Sequence, residues 1–307
     1  MTDIKIIGAG PGGLIAGLYL IEEGFSPKIF EKQDRESYKS TPCAEGISEG
    51  AIEKLREDID FDSGPAVNKK LDEASIIFPQ GRRVYWEEPV PVVLDRTKWL
   101  KSLAEEFEQR GGVIEYGSEV EDFENLDYDC LIGADGPDSA VRKFIGGEVE
   151  MVACCQYKYF SDDTGSTSEF YWDKTFSDYY SWIFPKEESI NVGCAGDIED
   201  LDKFVQNHDI SGDELERQIH PISLNGSKFQ EDNILLIGDA AGMINPVLGD
   251  GLGPIISSSE ILSDCISENS IEDYEERVRD ELPDLEITKF FIEFSQSDLE
   301  KMGIFWD

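Results

Sequence analysis

The pattern of apolar and polar residues at the start of the chain predicts a strand, a helix and a second strand. Residues 3–7 form a short apolar run, residues 8–13 are rich in glycine, and residues 14–23 have the length and apolar content of a helix. Gly24 ends that helix, and residues 28–31 form the next apolar run. A segment of this size and order is typical of a βαβ unit.

Two kinds of segment alternate along the rest of the chain. Short apolar strands with glycine-rich turns and helices alternate with runs rich in Tyr, Trp and Phe that polar turns interrupt, and such runs indicate an antiparallel sheet. The first kind occupies residues 1–64, 93–148 and 229–270, the second residues 65–92 and 149–228, and a short helical tail residues 271–307. We therefore expect an α/β fold with two interleaved domains.

The turn after the first strand has the spacing G-x-G-x-x-G. Gly8 permits the tight turn, Gly10 lets the backbone approach a pyrophosphate, and Gly13 lets the helix pack against the strand. The helix N-terminus offers free N–H groups to phosphate oxygens. Glu31 ends the second strand, where its carboxylate can accept hydrogen bonds from ribose hydroxyls. Together these features favour dinucleotide binding over a merely structural turn, but they do not separate NAD from FAD.

Two later glycine-rich segments narrow the dinucleotide to FAD. Residues 133–142, which include Asp135, follow one short strand, and residues 237–252 follow another. Asp239 is placed to accept hydrogen bonds from ribitol hydroxyls, and the glycines from Gly249 onward let backbone amides approach phosphate or the flavin edge. Either segment alone also fits a plain loop with an N-capping Asp. All three segments in this order fit that simpler explanation poorly.

These three segments resemble the FAD-dependent oxidoreductases of the p-hydroxybenzoate-hydroxylase-like fold. Residues 42–48 (Pro-Cys-Ala-Glu-Gly-Ile-Ser) and 180–186 (Tyr-Ser-Trp-Ile-Phe-Pro-Lys), with Asn-Val-Gly at 191–193, look like the geranylgeranyl reductases, which include the digeranylgeranylglycerophospholipid reductases of archaeal lipid synthesis. The resemblance covers most of residues 3–266. It implies a Rossmann-like FAD-binding domain interleaved with an antiparallel-sheet substrate domain. It also implies saturation of double bonds in a geranylgeranyl or other polyprenyl chain by hydride from reduced FAD.

The resemblance also extends the flavin site beyond the glycine-rich segments. It implies flavin contacts from Ala44, Gly46, Arg96, the backbone of Val120, Gly251 and Leu252. Arg96 has a case of its own, because a guanidinium suits a phosphate, and this role is favoured over the alternative of a surface residue at the start of a helix. Glu45 is a candidate acid near the flavin, but a solvent-facing carboxylate of its loop is the favoured expectation.

Four side chains are candidates for contact with a polyprenyl substrate. Tyr180, Trp182 and Phe184 alternate along a predicted strand, which places them on one face as an apolar wall; the alternative is that they are ordinary core residues. Cys43 lies in the loop that the resemblance places beside the flavin. It is a candidate to donate a proton or to tune or protect the flavin, with a small buried thiol as the alternative.

The charge balance is strongly acidic. The chain has 66 Asp+Glu against 27 Lys+Arg, a formal net charge of -39, and the acids are spread along all of it. Such self-repulsion is relieved at high salt, so we interpret the acidity as adaptation to a salt-rich cytoplasm. Binding of a cationic partner would favour acidic blocks instead, and no basic patch indicates nucleic-acid binding.

Other features bound the setting of the protein. The six cysteines have no CxxC spacing and only two histidines, His208 and His220, are present, so no metal site is expected. The two histidines fall in a polar stretch with loop-like or helical context. The N-terminal residues do not have the pattern of a secretory signal peptide, in which a charged segment precedes an apolar one. We therefore expect a cytoplasmic protein with reduced thiols. No apolar run approaches the roughly 20 residues of a membrane span, which leaves peripheral membrane contact open.

The resemblance implies two partners, a prenylated lipid substrate and an electron donor. The donor is either ferredoxin or NAD(P)H, and no second dinucleotide motif is visible. Two other functions of the same fold stay open at this point. One is an FAD-dependent monooxygenase, a hydroxylase or epoxidase. The other is a non-catalytic prenyl-binding protein like the Rab GDP-dissociation inhibitors, which do not use flavin. Three acids of the flavin-type segments argue against this second alternative: Glu31, Asp135 and Asp239.

Overall fold

The computed structural model describes residues 2–86, 91–208, 210, 212–245 and 249–281. Its strands are Ile4–Ile7 (β1), Lys28–Glu31 (β2), Gly46–Ser48 (β3), Val67–Lys70 (β4), Glu73–Ile77 (β5), Arg83–Trp86 (β6), Pro91–Leu94 (β7), Val113–Tyr116 (β8), Cys130–Gly133 (β9), Glu150–Phe160 (β10), Thr167–Tyr171 (β11), Ser181–Pro185 (β12), Ser189–Ala195 (β13), Glu214–Leu224 (β14), Gln230–Glu231 (β15) and Ile234–Leu236 (β16). Its α-helices are Pro11–Glu22 (α1), Glu49–Ile59 (α2), Arg96–Gln109 (α3), Ala140–Phe144 (α4), Ile198–Asn207 (α5), Leu252–Ser267 (α6) and Tyr274–Glu281 (α7).

Six of these strands form a mostly parallel sheet in the order β15-β16-β9-β1-β2-β8. Helix α1 connects β1 to β2 and packs against α3 and α6, so the central strands are covered and need apolar side chains throughout. In the register, Gly133 of β9 lies opposite both Ile7 of β1 and Leu236 of β16. The three glycine-rich turns that follow these strands therefore meet at one edge of the sheet, where ligands of such folds bind.

Seven strands form a second sheet in the order β14-β10-β13-β12-β11-β5-β6, antiparallel except for the β11–β5 pair. Its two faces are both apolar. One face carries Tyr180, Trp182 and Phe184, and the other carries Tyr157 and Tyr171 against helix α5. A third, smaller sheet has the order β3-β7-β4. Its strands belong to the segments of chain that connect the two large sheets.

The second sheet is larger than the alternation of residues predicts. Strand β10 begins at Glu150, well before the aromatic run, and β14 occupies a polar stretch that we expected to be loop-like or helical. His220 therefore lies in a strand, while His208 follows α5. The reason is that, among the described strands, β14 pairs with β10 alone at the edge of the sheet, so most of its side chains are exposed and no apolar alternation marks it.

The strands of the two large sheets alternate along the chain. The exact domain limits stay a prediction. Strand β7 crosses the expected boundary at 92/93, and it pairs with β3 and β4, which lie on opposite sides of the expected boundary at 64/65. The expected helical tail is described as far as α7, and its remainder lies outside the described residues. None of the described helices is long and apolar enough to span a bilayer.

Candidate functional site

The turn between β1 and α1 has the geometry of a phosphate-binding turn. Gly8 has a φ of +100°, and a Cβ there would lie 2.5 Å from the carbonyl oxygen of Ala134. A Cβ at Gly13 would lie 2.0 Å from the carbonyl oxygen of Gly8, so only glycine lets α1 pack this close. At Gly10, by contrast, a Cβ would meet no described atom within 4 Å, and none of the described side chains caps the helix that begins there. The first N–H groups of a helix have no partner within it, so they are available here to a phosphate.

Glu31 is fixed beside this turn. It is 5% exposed, and its carboxylate accepts hydrogen bonds from the N–H groups of Ala9 and Gln33, both at 2.8 Å. Each carboxylate oxygen keeps a further lone pair for another donor. The backbone after β8 returns to the same place, where the N–H of Ser118 donates to the carbonyl of Glu31 at 2.9 Å. Val120 follows, half-buried against the core under the six-stranded sheet.

Asp135 has a structural role in the second glycine-rich segment. Its Oδ1 accepts from the Ser139 hydroxyl at 2.5 Å and its Oδ2 from the N–H of Ala140 at 2.6 Å. The carboxylate thus holds the start of α4, although the N-cap of that helix is Ser139 and not the Asp that the capping interpretation expects. These bonds fix the turn next to Gly8.

Arg142, to which the sequence assigned no role, joins the second and third glycine-rich segments. It is 4% exposed, and its guanidinium donates to the carbonyl of Pro137 at 2.6 Å, of Ala240 at 3.0 Å and of Asp239 at 3.4 Å. Burial lowers its pKa. A buried arginine bonded to carbonyls of two separate turns acts as a cross-link, and the pattern of apolar residues carries no signal for such a contact.

Asp239 lies at the carboxyl end of β16, near the other two turns. Burial raises the pKa of its carboxyl to about 6, although the positive charges of Arg96 and Arg142 oppose the shift. Gly251 is close by, because a Cβ there would lie 4.0 Å from Oδ1 of Asp239. Leu252 is buried, and its N–H already donates to Oδ1 of Asp250 at 2.9 Å. Residues 246–248, which belong to the same glycine-rich segment, lie outside the described residues.

Arg96 begins helix α3 beside this carboxylate. Its guanidinium lies 4.9 Å from the centre of the Trp99 ring, and its positive charge opposes the rise in pKa that burial causes at both Asp239 and Cys43. Arg96 is half-buried between the loop that carries Cys43 and the turn that carries Asp239. This position suits a contact with a dinucleotide phosphate, which stays a prediction.

The loop of Cys43, Ala44 and Glu45, with Gly46 after it, lies against the seven-stranded sheet. A Cβ at Gly46 would lie 2.8 Å from Cε1 of Phe184, so glycine permits this approach. The expectation for Glu45 is wrong: its side chain is 18% exposed and forms an ion pair with Lys186. Cys43 is half-buried, and burial raises the pKa of its thiol. The thiol therefore carries its proton at neutral pH, which is the state of a proton donor rather than of a nucleophile.

Tyr180, Trp182 and Phe184 form an aromatic wall on the face of the seven-stranded sheet that meets this loop. All three are buried, and Trp182 donates from Nε1 to Oε1 of Gln156 at 3.2 Å. Tyr180 reaches the third glycine-rich segment, since a Cβ at Gly249 would overlap its hydroxyl oxygen at 1.8 Å. The predicted alternation on one face is thus present, and the three rings are part of a core as well as candidates to line a substrate site.

These features fit FAD. Open space at Gly10 with free helix amides suits the pyrophosphate, and the unused lone pairs of Glu31 suit the ribose next to it. Arg96 and Asp239 lie further along the same edge of the sheet, where a cation and a hydrogen-bond acceptor suit the remaining phosphate and the ribitol. The individual residue roles stay predictions.

Comparison with known proteins supports this assignment. A family model described as an FAD binding domain matches residues 1–59. A digeranylgeranylglycerophospholipid reductase of Methanosphaera stadtmanae is 26% identical over 306 residues, covering 85% of this chain and 76% of that protein. The reductase of the same name from Methanocaldococcus jannaschii is 25% identical over 357 residues, covering 98% of this chain and 89% of that protein.

Solved structures show the same fold. A geranylgeranyl bacteriochlorophyll reductase-like protein from Thermoplasma acidophilum superposes with a TM-score of 0.81 at 21% identity, covering 98% of this chain and 90% of that one. A 2-methyl-3-hydroxypyridine-5-carboxylic acid oxygenase superposes with a TM-score of 0.74 at 16% identity, covering 100% and 94%.

The fold and the site together define an FAD-dependent oxidoreductase with the p-hydroxybenzoate-hydroxylase-like fold. Both the predicted fold class and the predicted cofactor are confirmed. Within that class, the relatives by sequence are digeranylgeranylglycerophospholipid reductases, and the predicted resemblance to the geranylgeranyl reductase family is confirmed.

The affinity for FAD is expected to depend on pH through Asp239. Ribitol hydroxyls donate best to the ionised carboxylate, so binding favours the deprotonated form and lowers its pKa. Since the pKa before binding is about 6, affinity should be full above that pH and should fall by up to about tenfold per unit below it. Titration of flavin fluorescence between about pH 5 and pH 8 measures this slope.

Asp239→Asn is the control for that slope. An amide accepts a hydrogen bond but does not titrate, so the variant should bind FAD more weakly above pH 6 and lose the slope below it. An unchanged slope in the variant would assign the pH dependence to another group.

Proposed function

We propose that this oxidoreductase saturates the double bonds of geranylgeranyl or other polyprenyl chains on a precursor of archaeal-type membrane lipids. The observation that supports the proposal is the aromatic wall of Tyr180, Trp182 and Phe184, which meets the loop of Cys43, where we expect the flavin. The digeranylgeranylglycerophospholipid reductases that match nearly the whole chain support the same substrate class.

The wall and the loop are directly linked. Gln156 accepts from Trp182 Nε1 at 3.2 Å and donates from its own Nε2 to the carbonyl of Cys43 at 3.2 Å. The Phe184 ring reaches Gly46, at the end of the loop, and packs edge-on against Phe170 with 5.2 Å between the ring centres. In the proposed reaction, an alkene at this wall would lie beside the loop that carries Cys43, where we also expect the flavin.

Saturation of an isolated double bond needs a hydride on one carbon and a proton on the other. Reduced FAD supplies the hydride when it is bound. The apolar side chains around the aromatic wall hold the chain and exclude water from it. The Cys43 thiol, protonated because burial raises its pKa, is the group beside the flavin that would deliver the proton.

The proposal is tested by mass spectrometry of a lipid substrate. The purified protein is reduced with dithionite without oxygen and incubated with a geranylgeranylated glycerolipid. Mass gains in steps of two hydrogens support the reductase, and Cys43→Ser should slow them. Gain of oxygen under air with NAD(P)H would instead identify a monooxygenase, and an unaltered lipid in both arms would contradict any role in prenyl chemistry.

The electron donor and the setting belong to the same proposal. Ferredoxin and NAD(P)H are the two candidate donors, and a lipid substrate favours peripheral contact with a membrane from the cytoplasmic side. Comparing flavin bleaching by reduced ferredoxin with bleaching by NADPH under anaerobic conditions distinguishes the two donors.

The net charge of -39 leads to a prediction for salt. The Debye length falls from about 10 Å at 0.1 M salt to about 3 Å at 1 M, which weakens repulsion among the spread acids. If the protein works in a salt-rich cytoplasm, its Tm should rise by roughly 10 °C or more between about 0.1 M and 2 M KCl. Differential scanning fluorimetry measures the shift, and sucrose at matched osmolality is the control for solvent effects without ions.

A further inference from the structure

Three side chains of the seven-stranded sheet hold the loop of residues 43–45, one at each position. Gln156 donates from Nε2 to the carbonyl of the first residue at 3.2 Å. Asn191 donates from Nδ2 to the carbonyl of the second at 3.3 Å. Lys186 forms an ion pair with the carboxylate of the third. These partners come from β10, β13 and the turn before β13, so the loop is fixed to the sheet that carries the aromatic wall.

The ion pair is the most buried part of this arrangement. Lys186 is 5% exposed, and its Nζ donates to the carbonyl of Leu94 at 3.1 Å as well as to the Glu45 carboxylate. That carboxylate also accepts from Asn191 Nδ2 at 3.0 Å and from the N–H of Arg96 at 3.4 Å. A buried pair with this many bonds to both partners is fixed in geometry, and loss of one partner leaves a buried charge unpaired.

The backbone of the loop supports a positioning role. Glu45 has a φ of +70°, a conformation that costs a residue other than glycine of order 1 kcal/mol and persists only where its surroundings impose it. Its carbonyl accepts from the N–H of Leu94 at 2.9 Å, so the residue is held at both its backbone and its side chain. A glycine would adopt this backbone without strain but would provide no carboxylate for Lys186.

Asn191 provides a second indication. It is fully buried, and among the described residues its Oδ1 has no hydrogen-bond partner. A buried acceptor left without a donor costs roughly 1–3 kcal/mol. Asn191 therefore does not stabilise its own strand through this oxygen. What the side chain provides is its amino group, which donates two hydrogen bonds to the loop.

We propose that Lys186, Asn191 and Gln156 are positioning residues that hold the Cys43 thiol in place at the flavin, with the Lys186–Glu45 pair as the main anchor. The inference rests on the proposed function, in which Cys43 is the proton donor. A proton donor must stay at a fixed distance from the carbon that it protonates. Cys43 is one of the residues that line a polar cavity of about 490 Å³ beside the loop, so the same fixation would limit how readily a reagent in this cavity reaches the thiol.

The test compares Lys186→Met with Lys158→Met in the full chain purified with its FAD. Lys158 lines the same cavity and, among the described residues, makes no hydrogen bond to the loop, so its replacement is a matched control. The rate of Cys43 alkylation by N-ethylmaleimide is followed by peptide mass spectrometry, with the buried Cys130 and Cys265 as internal references. We expect Lys186→Met to raise the Cys43 rate by at least about tenfold relative to the references, and to shift the flavin absorbance band. Lys158→Met should do neither.

A second variant separates positioning from stability. Glu45→Gln combined with Lys186→Met removes both charges, so it avoids an unpaired buried carboxylate and should fold even where the single variant does not. Its Tm should return towards that of the native protein while Cys43 stays reactive. Alkylation rates and flavin spectra equal to those of the native protein in either Lys186 variant would overturn the proposal. Neither readout needs a lipid, so a protein that shows the alkylation pattern but leaves prenyl lipids unaltered would contradict the proposed function and not the positioning residues.

Discussion

Replacing Gly10 with leucine is expected to abolish FAD binding and leave the fold intact. A Cβ at this position would meet no described atom within 4 Å, so the new side chain has room in the protein but fills the space in front of the α1 amides. The pyrophosphate needs that space. We expect the FAD dissociation constant to rise by at least ~100-fold, about 2.8 kcal/mol, in titrations of flavin fluorescence.

The stability of the flavin-free protein distinguishes this effect from unfolding. Leucine in place of glycine before the helix should cost only about 1 kcal/mol, and circular dichroism should show an unchanged melting transition within a few degrees. Gly13→Leu is the matched contrast, because its Cβ would lie 2.0 Å from the carbonyl oxygen of Gly8 and the strand and helix would have to separate. If Gly10→Leu still binds FAD with native affinity, the cofactor does not lie at this turn.

Replacing Arg142 with methionine is expected to destabilise the protein and weaken FAD binding together. The substitution keeps the apolar stem and removes the donors to the carbonyls of Pro137 and Ala240, which lie in two different turns. Each buried carbonyl left without a donor costs roughly 1–3 kcal/mol. We expect a loss of about 3 kcal/mol, or roughly 5–10 °C in Tm by differential scanning calorimetry of the flavin-free protein.

Lys143→Met is the control for that experiment. Lys143 is the next residue in the chain, but its side chain is 58% exposed, and its one partner within the described part of the chain is Asp138, whose carboxylate is also exposed. Exposed pairs of this kind contribute little, so the Tm should change by no more than about 1 °C. Equal behaviour of the two variants would show that Arg142 does not join the glycine-rich turns.

Glu31 and Asp135 show how far a motif can be interpreted without coordinates. Both acids belong to glycine-rich segments typical of FAD-binding proteins. The carboxylate of Glu31 fixes the first turn and keeps free lone pairs, whereas that of Asp135 is used by the start of α4. The sequence identifies both acids as part of these segments, but only the structure shows which hydrogen bonds each carboxylate accepts and which turn it holds.

The sequence by itself determined the features that depend on neighbours along the chain. The β1–α1–β2 unit, its glycine turn and the shared face of Tyr180, Trp182 and Phe184 follow from local spacing, since helices, strands and turns repeat over a few residues. The fold class and the cofactor could be inferred because three such local segments occur in a fixed order.

Only the tertiary structure decided the contacts between distant segments. Lys186 and Glu45 are 141 positions apart, and Arg142 and Ala240 are 98 apart, so no local pattern marks either pair. The edge strand β14 was missed for a related reason, because its stability comes from pairing with β10 and not from its own composition. The arrangement of Cys43 against the aromatic wall is thus a property of the packed sheets, which no single segment contains.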